Sequence, residues 1–336
     1  MQRQRRHFVL QGLGIATTGL FGLPTAALAQ ADRPEAFPSR PVTLVVPAPA
    51  GGATDALART LADIMGKSLG QSFVIDNKPG ASGMLATQAV ARARPDGHTL
   101  LMTFTTPIYY APHMFAKMAY DPRRDLAFIT HVCDANLVLA VNKDVPAASM
   151  KQFIAWAKDN KGKVVYGTYG IGTAGHLMSS YLSEQRGLDM IHAPYKGEVP
   201  MVQDLVGGQI PWAIGTVGTL GPHITSGRLR ALAIVGDQRI DSLPDVPTMA
   251  EAGFPDKEYK PVGGFVMMAP AGVPAPILKR LEAEARAAIQ NTQMKARFQA
   301  YGLVAVGNSA VDARKAFDDS GPVIEKLVKI SGAKME

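Results

Sequence analysis

Short apolar runs alternate with helix-patterned stretches along most of this chain, and that alternation narrows the possible folds more than any other feature. "VTLVVP" (42–47) has the length and composition of a buried strand. The stretch after it puts Leu57, Leu61, Ile64, Met65 and Leu69 on one helical side and stops at Gly70. "SFVID" then reads as a strand, "GMLATQAVARA" as a helix and "HTLLMTF" as a third strand. A βαβαβ series of this kind predicts a mostly parallel sheet with helices on its faces.

The same grammar restarts at "KVVYGT" (163–168) and runs through "GHLMSSYLSEQ", "MIHAPY", "VPMVQDLVGG" and "IPWAIGT". A second α/β unit is therefore inserted into the first. "VGGFVMMAP" supplies a further buried strand, and "PAPILKRLEAEARAAIQ" and "DARKAFDDSGPVIEKLVKI" are late amphipathic helices suited to covering the first sheet. The expected fold is α/β with two lobes: residues 38–134 and 238–336 form lobe 1, residues 135–237 form lobe 2, and the crossings fall near 133–137 and 235–240. A chain of 336 residues, 47% hydrophobic and 19% charged, has enough apolar material for a core in each lobe.

Residues 1–29 have a different character. Arg3, Arg5 and Arg6 precede an apolar run from Phe8 to Leu23, and Ala27-Leu28-Ala29 is a small-residue cleavage site, so this reads as a signal peptide cut before Gln30. The run is short and glycine-rich for a permanent span, the retained anchor being the alternative. "RRHFVL" (5–10) partly matches a twin-arginine export signal, with Gln4 and Val9 as departures. The expected location is the periplasm.

Three of the +7 formal charges leave with that leader. The mildly basic remainder suits a small anionic ligand. It excludes a nucleic-acid footprint, because no basic run exceeds the Arg123-Arg124 pair. The single cysteine, Cys133, can form no internal disulfide, and its neighbours Ile129, Val132 and Leu137 predict a buried, inert thiol.

Enzyme signatures are absent. There is no G-x-S-x-G elbow, no H-E-x-x-H, no Walker lysine and no calcium loop. The seven histidines are scattered, and His176 and His192 read as polar residues at helix and strand ends, so neither a metal nor a cofactor is expected. Gly170, Gly172 and Gly175 do spell G-x-G-x-x-G after a strand. The acid at the right distance, Asp189, however, precedes the next strand instead of ending it, which argues against a dinucleotide site.

Two glycine-rich helix mouths carry the remaining chemistry. "PAGGATD" leads into a helix starting at Thr54-Asp55, and "YGIGTAGH" opens another. The first amides of a helix have no intrahelical partner and sit at its positive end, so such mouths bind anions. The alternative is that both are tight turns, with Thr54 or Thr173 acting as a helix cap. Asp55 reads first as a dipole-stabilising first-turn acid, since in a cleft it would repel an anion.

Taken together, "SRPVTLVVPAPAGGATDALARTLADIMGKSLGQSFVIDNKPGASG", "ARARPDGHTLL", "YGTYGIGTAGHL", "APYKG", "DLVGGQI", "PHITSGRLRALAI" and "LPDVPTMAEAGFP" resemble the substrate-binding proteins of tripartite tricarboxylate transporters, the Bug family. The resemblance runs in order from about Pro38 to the C-terminus. It implies a type II periplasmic binding protein, a monomer that closes on a small organic anion in the cleft between its lobes and delivers it to membrane permease subunits. It also implies that a ligand carboxylate is held by amides and water from the loop Ala50, Gly51, Gly52, Ala53, Thr54, Asp55 and from the loop Gly170, Ile171, Gly172, Thr173, Ala174, His176. Thr103, Thr105 and Thr106 would supply hydroxyls, Tyr109 and Tyr169 would wall an aromatic or extended mono- or dicarboxylate, and Tyr195, Lys196 and Thr216 would complete the cleft; the alternative is that each threonine is a solvated loop residue and each tyrosine fills a lobe edge. Two departures from the family pattern affect the ligand's far end: Gly215-Thr216 replaces an acidic or amide pair, and Glu198 follows the "YKG" turn where a small residue is usual.

Three classes fit a chain of this kind. A transport receptor binds without turnover, a ligand-presenting partner of a membrane sensor binds without a permease, and a secreted enzyme yields product. No nucleophile with a positioned base supports the third.

Overall fold

The structure is a computed structural model and describes residues 37–260 and 263–333. The leader read over 1–29, with its Arg5-Arg6 pair and the cut before Gln30, lies outside the described residues. Among the described residues no helix is long and apolar enough to cross a membrane.

The chain builds β1 (Val42–Val46), β2 (Phe73–Asn77), β3 (Thr99–Phe104) and β4 (Leu126–Ala135) in one sheet. It then passes through Asn136 into a second sheet. That sheet holds β5 (Leu137–Asn142), β6 (Val165–Thr168), β7 (Ile191–Pro194), β8 (Trp212–Thr216) and β9 (Leu229–Val235). β10 (Phe265–Pro270) and β11 (Leu303–Ala305) return to the first sheet. The spatial orders are β11-β4-β10-β3-β1-β2 and β7-β6-β8-β5-β9.

The sheets are mixed, where the alternation predicted mostly parallel ones. β1 pairs parallel with β2 and β3, and β6 with β7 and β8, but β10 runs against β3 and β4, and β5 runs against β8 and β9. The physical reason is the crossing itself. β5 and β10 are the strands by which the chain enters one sheet from the other, so neither is set by a helical crossover within its own sheet.

The second crossing lies later than 235–240. After β9 the chain stays on the second sheet: the Ile234 amide donates to the Pro247 carbonyl at 2.7 Å and the Met249 amide to Ile234 at 2.9 Å. Ile240, Leu243 and Val246 pack on that sheet's core. The return to the first sheet comes between Tyr259 and Phe265.

One apolar core lies wholly within the first lobe, around Leu44, Leu61 and Met267, and another wholly within the second, around Ala213 and Leu220. A third is continuous through both, joining Leu101 and Val266 to Leu139 and Trp212. The Ala310–Ser331 helix makes that junction. It lies on β4 and also packs along the Ala174–Arg186 helix, so it belongs to both lobes. Cys133 is fully buried without a disulfide, and burial pushes its thiol pKa up, which leaves an inert side chain.

Candidate functional site

The first mouth is set by glycine and clamped by an acid. Gly51 takes φ +89°, open to glycine and strained for other residues, and Gly52 is the extended N-cap of the Ala53–Leu69 helix. The helix thus starts at Ala53, and Thr54 is a first-turn residue without a capping role. Asp55 is 2% exposed. Its carboxylate accepts from Arg59 Nε at 2.8 Å, from the Gly51 amide at 2.9 Å and from Asn77 Nδ2 at 3.0 Å. The Arg59 guanidinium, helped by those donors against the cost of burial, holds its pKa down to about 2. Asp55 therefore fixes the turn, its carboxylate committed to these three donors. The first intrahelical bond is from the Ala56 amide to the Gly52 carbonyl, which leaves the Ala53, Thr54 and Asp55 amides ahead of the ladder.

The second mouth is more self-contained than its glycines suggest. Thr173 caps the Ala174–Arg186 helix, accepting from the His176 amide at 3.4 Å and donating to the Gly170 carbonyl at 2.8 Å. The Gly172 amide donates to His176 Nδ1 at 3.1 Å, and the Gly175 amide to the Tyr169 hydroxyl at 3.2 Å. His176 stacks on His192 with centroids 4.0 Å apart, and His192 Nε2 meets Thr168 Oγ1 at 2.7 Å. Burial, with the neighbouring His192, pushes the His176 pKa down to about 4, so the ring is neutral with its proton on Nε2. Four of the loop's amides, those of Gly172, Thr173, Gly175 and His176, are thus spent inside the loop. Ala174 keeps a first-turn amide that no described protein group takes.

Between the sheets lies a cavity of about 380 Å³. Ala53 and Leu57 line it from the first mouth, and Tyr169, Thr173 and Ala174 from the second. Phe104, Tyr110, Phe265 and Tyr301 give it aromatic walls. The floor is the crossing itself, Ala135 to Leu137. Among the described residues no lysine, arginine or histidine lines it, and the one charged residue that does is Glu198.

Glu198 opens the Glu198–Val206 helix and caps the Val217–Thr225 helix from outside. Its Oε1 accepts from the Thr216 amide at 2.7 Å, and its Oε2 from the hydroxyls of Thr216 at 2.8 Å and Thr219 at 2.6 Å. A Cβ on Gly215 would lie 3.3 Å from Oε1 and 3.0 Å from Leu220. The missing side chain at Gly215 and the carboxylate of Glu198 are thus one feature: the first makes room for the second.

Of the residues picked from sequence, Ala53, Thr105, Thr106, Tyr169, Thr173, Ala174 and Thr216 meet at this cavity. The others do not line it. Ala50, Gly51 and Gly52 are exposed on the turn, and Thr54 and Asp55 serve the helix. Thr103 is fully buried in β3, its hydroxyl on the Phe104 carbonyl. Tyr109 is 1% exposed and packs edge-on to Phe128 and Phe317. One π-helical turn, Thr106–Tyr110, sends Tyr109 into the core while Tyr110 lines the cavity. Gly170, Ile171, Gly172 and His176 form the loop without lining the cavity, Ile171 exposed and His176 buried. Tyr195 donates to Asp204 at 2.7 Å, and Lys196 is exposed away from the cavity. Asp189, the acid of the dinucleotide reading, is an exposed partner of Lys161 at 3.1 Å. Among the described residues no cluster of metal-ligating side chains occurs.

Sequence reasoning missed Asn136, Gly218, Thr219 and the far-chain segments Gly263–Phe265 and Ala300–Leu303. Tyr110 and the "GTLG" stretch stood beside selected residues. The far-chain segments carry no local signal at all.

A family model described as "Tripartite tricarboxylate transporter family receptor" matches residues 57–331. The chain belongs to this family. Protein BugT of Bordetella pertussis is 33% identical over 323 residues, covering 96% of this chain and 98% of the relative. A UPF0065 protein from the gbd 5' region of Cupriavidus necator is 37% identical over 279 residues, 83% of each chain. Among solved structures, R. palustris Rpa4515 with adipate aligns at TM-score 0.75 and 32% identity, covering 88% of this chain and 98% of that one. MatC from Rhodopseudomonas palustris with bound malate aligns at 0.71 and 30%, covering 87% and 100%. The periplasmic binding protein BugD aligns at 0.72 and 32%, covering 89% and 100%. The family and these neighbours are solute-binding proteins and not enzymes.

Proposed function

We propose that this chain captures a small organic carboxylate in the periplasm and delivers it to the membrane permease subunits of a tripartite tricarboxylate-type transporter. One observation carries the reading: a cavity that no basic side chain among the described residues lines, and into which the amide-bearing starts of the Ala53–Leu69 and Ala174–Arg186 helices open. Such a site holds an anion by backbone N–H groups, helix dipoles and ordered water. The adipate and malate of two neighbours are carboxylates of a size that a cavity of about 380 Å³ accepts.

A thermal-shift screen of carboxylates beside their amides and methyl esters tests this. A ligand at 100 times its Kd adds about 2.7 kcal/mol of stability, a shift of several degrees. Ala53→Pro is the decisive variant. Proline suits the first helical position and the extended Gly52 before it, so the fold is retained while one cavity amide is removed. The acids should lose their shift, while Ala53→Ser, which keeps the amide, should retain it. Equal stabilisation by neutral amides would refute the mechanism.

A further inference from the structure

We infer that Glu198 makes this receptor select a carboxylate whose other end is a hydrogen-bond donor, an ammonium or amide N–H, and reject a second carboxylate. This rests on the receptor reading and goes further into the same cavity.

Thr216 and Thr219 each bring one hydroxyl hydrogen, and both hydroxyls lie within hydrogen-bond distance of Glu198 Oε2 while standing 2.8 Å from one another. The Thr216 amide is already given to Oε1. Three oxygens in mutual contact thus share two hydroxyl hydrogens, and every one of those hydrogens is used within the cluster. What the cluster still offers is lone pairs: a carboxylate has about four acceptor positions, and three are filled. Among the described residues no basic side chain lines the cavity to balance the charge.

At the start of the Val217–Thr225 helix the Thr216 amide already goes to the Glu198 carboxylate and the Val217 amide to the Asn136 carbonyl. A second ligand carboxylate beside Glu198 would meet a like charge that no basic side chain among the described lining residues offsets. A donor would find an open lone pair and, if cationic, a counter-ion. Gly215 is what allows Glu198 to lie in this place, since any side chain there would crowd its carboxylate.

The test is calorimetry with chain-matched trios: glutarate, its monoamide and 5-aminopentanoate, with the same trio one carbon shorter and one longer. In the wild type the amide or amino acid should bind at least tenfold tighter than the diacid of equal length. Glu198→Gln, near-isosteric and able to donate, should narrow that ratio to threefold or reverse it. Thr219→Val leaves Glu198 charged with one donor fewer and should widen the ratio, which a merely structural role for the cluster would not do. Diacids that bind as tightly as their partners in the wild type, or a ratio indifferent to Glu198→Gln, would overturn the selection rule and leave the receptor reading standing. Neutral diamides that bind as well as the acids would instead overturn the receptor reading, and this inference with it.

Discussion

Gly218→Ala separates ligand affinity from fold stability. Gly218 is the second residue of the Val217–Thr225 helix in the second lobe, and a Cβ there would lie 2.6 Å from the Tyr301 carbonyl oxygen of the first lobe. That is about 0.9 Å inside a normal contact, and the obstacle is backbone that no rotamer change can clear. Its φ is outside the left-handed region, so alanine is otherwise welcome and gains up to about 1 kcal/mol of helix propensity. If the lobes part when no ligand is bound, the clash weighs on the closed arrangement alone. Overpacking of this kind costs about 1–3 kcal/mol, which as a penalty on the closed state is roughly a 5- to 150-fold loss of affinity. The unliganded protein should melt at or above the wild-type temperature, calorimetry should show weaker binding, and small-angle scattering should show less compaction at saturation. Wild-type affinity in Gly218→Ala, or a fall in stability alongside affinity, would refute the reasoning.

Other outcomes follow from the same geometry. His176 has a folded pKa of about 4 against an unfolded value near 6.5, so the unfolded chain binds the extra proton and stability falls as pH drops through that window. The loss should be roughly 2 kcal/mol after allowance for solvent screening, and pH-dependent melting of His176→Gln should show a flatter profile between pH 7 and 4. Asp55→Ala removes the acceptor of three donors and should cost about 2–4 kcal/mol in urea melts. The native Asp55 contribution is present above the unfolded carboxylate pKa and fades as pH falls toward 2. The Tyr109 hydroxyl is buried with no hydrogen-bond partner among the described residues, so Tyr109→Phe should raise stability by about 1 kcal/mol and leave binding unchanged. Lys196→Ala should also bind normally in calorimetry, since Lys196 does not line the cavity.

What the chain announces by itself is whatever depends on neighbours a few residues apart. Periodicity places the strand at 42–46 and the helix that buries Leu57, Leu61 and Met65, Thr173 is readable as a cap, and the run around Cys133 as core. These are local, because strand alternation, helical faces and end caps are short-range geometry. Packing between distant segments decides the rest. Tyr109 and Tyr110 are adjacent and chemically identical, and a single π-helical turn in a crowded core sends one to Phe317 and leaves the other at the cavity. The glycines of "YGIGTAGH" announce open amides, yet Tyr169 and His176 fold back to take two of them, because buried donors must be met wherever an acceptor comes near. Residues 240–254 stay with the second sheet because their apolar side chains find its core. The walls at Gly263–Phe265 and Ala300–Leu303 reach the site from the far end of the chain, brought there by strands β10 and β11 returning to a sheet begun more than two hundred residues earlier. A local pattern fixes which face a residue presents; only closure of the two sheets on one another determines what that face meets.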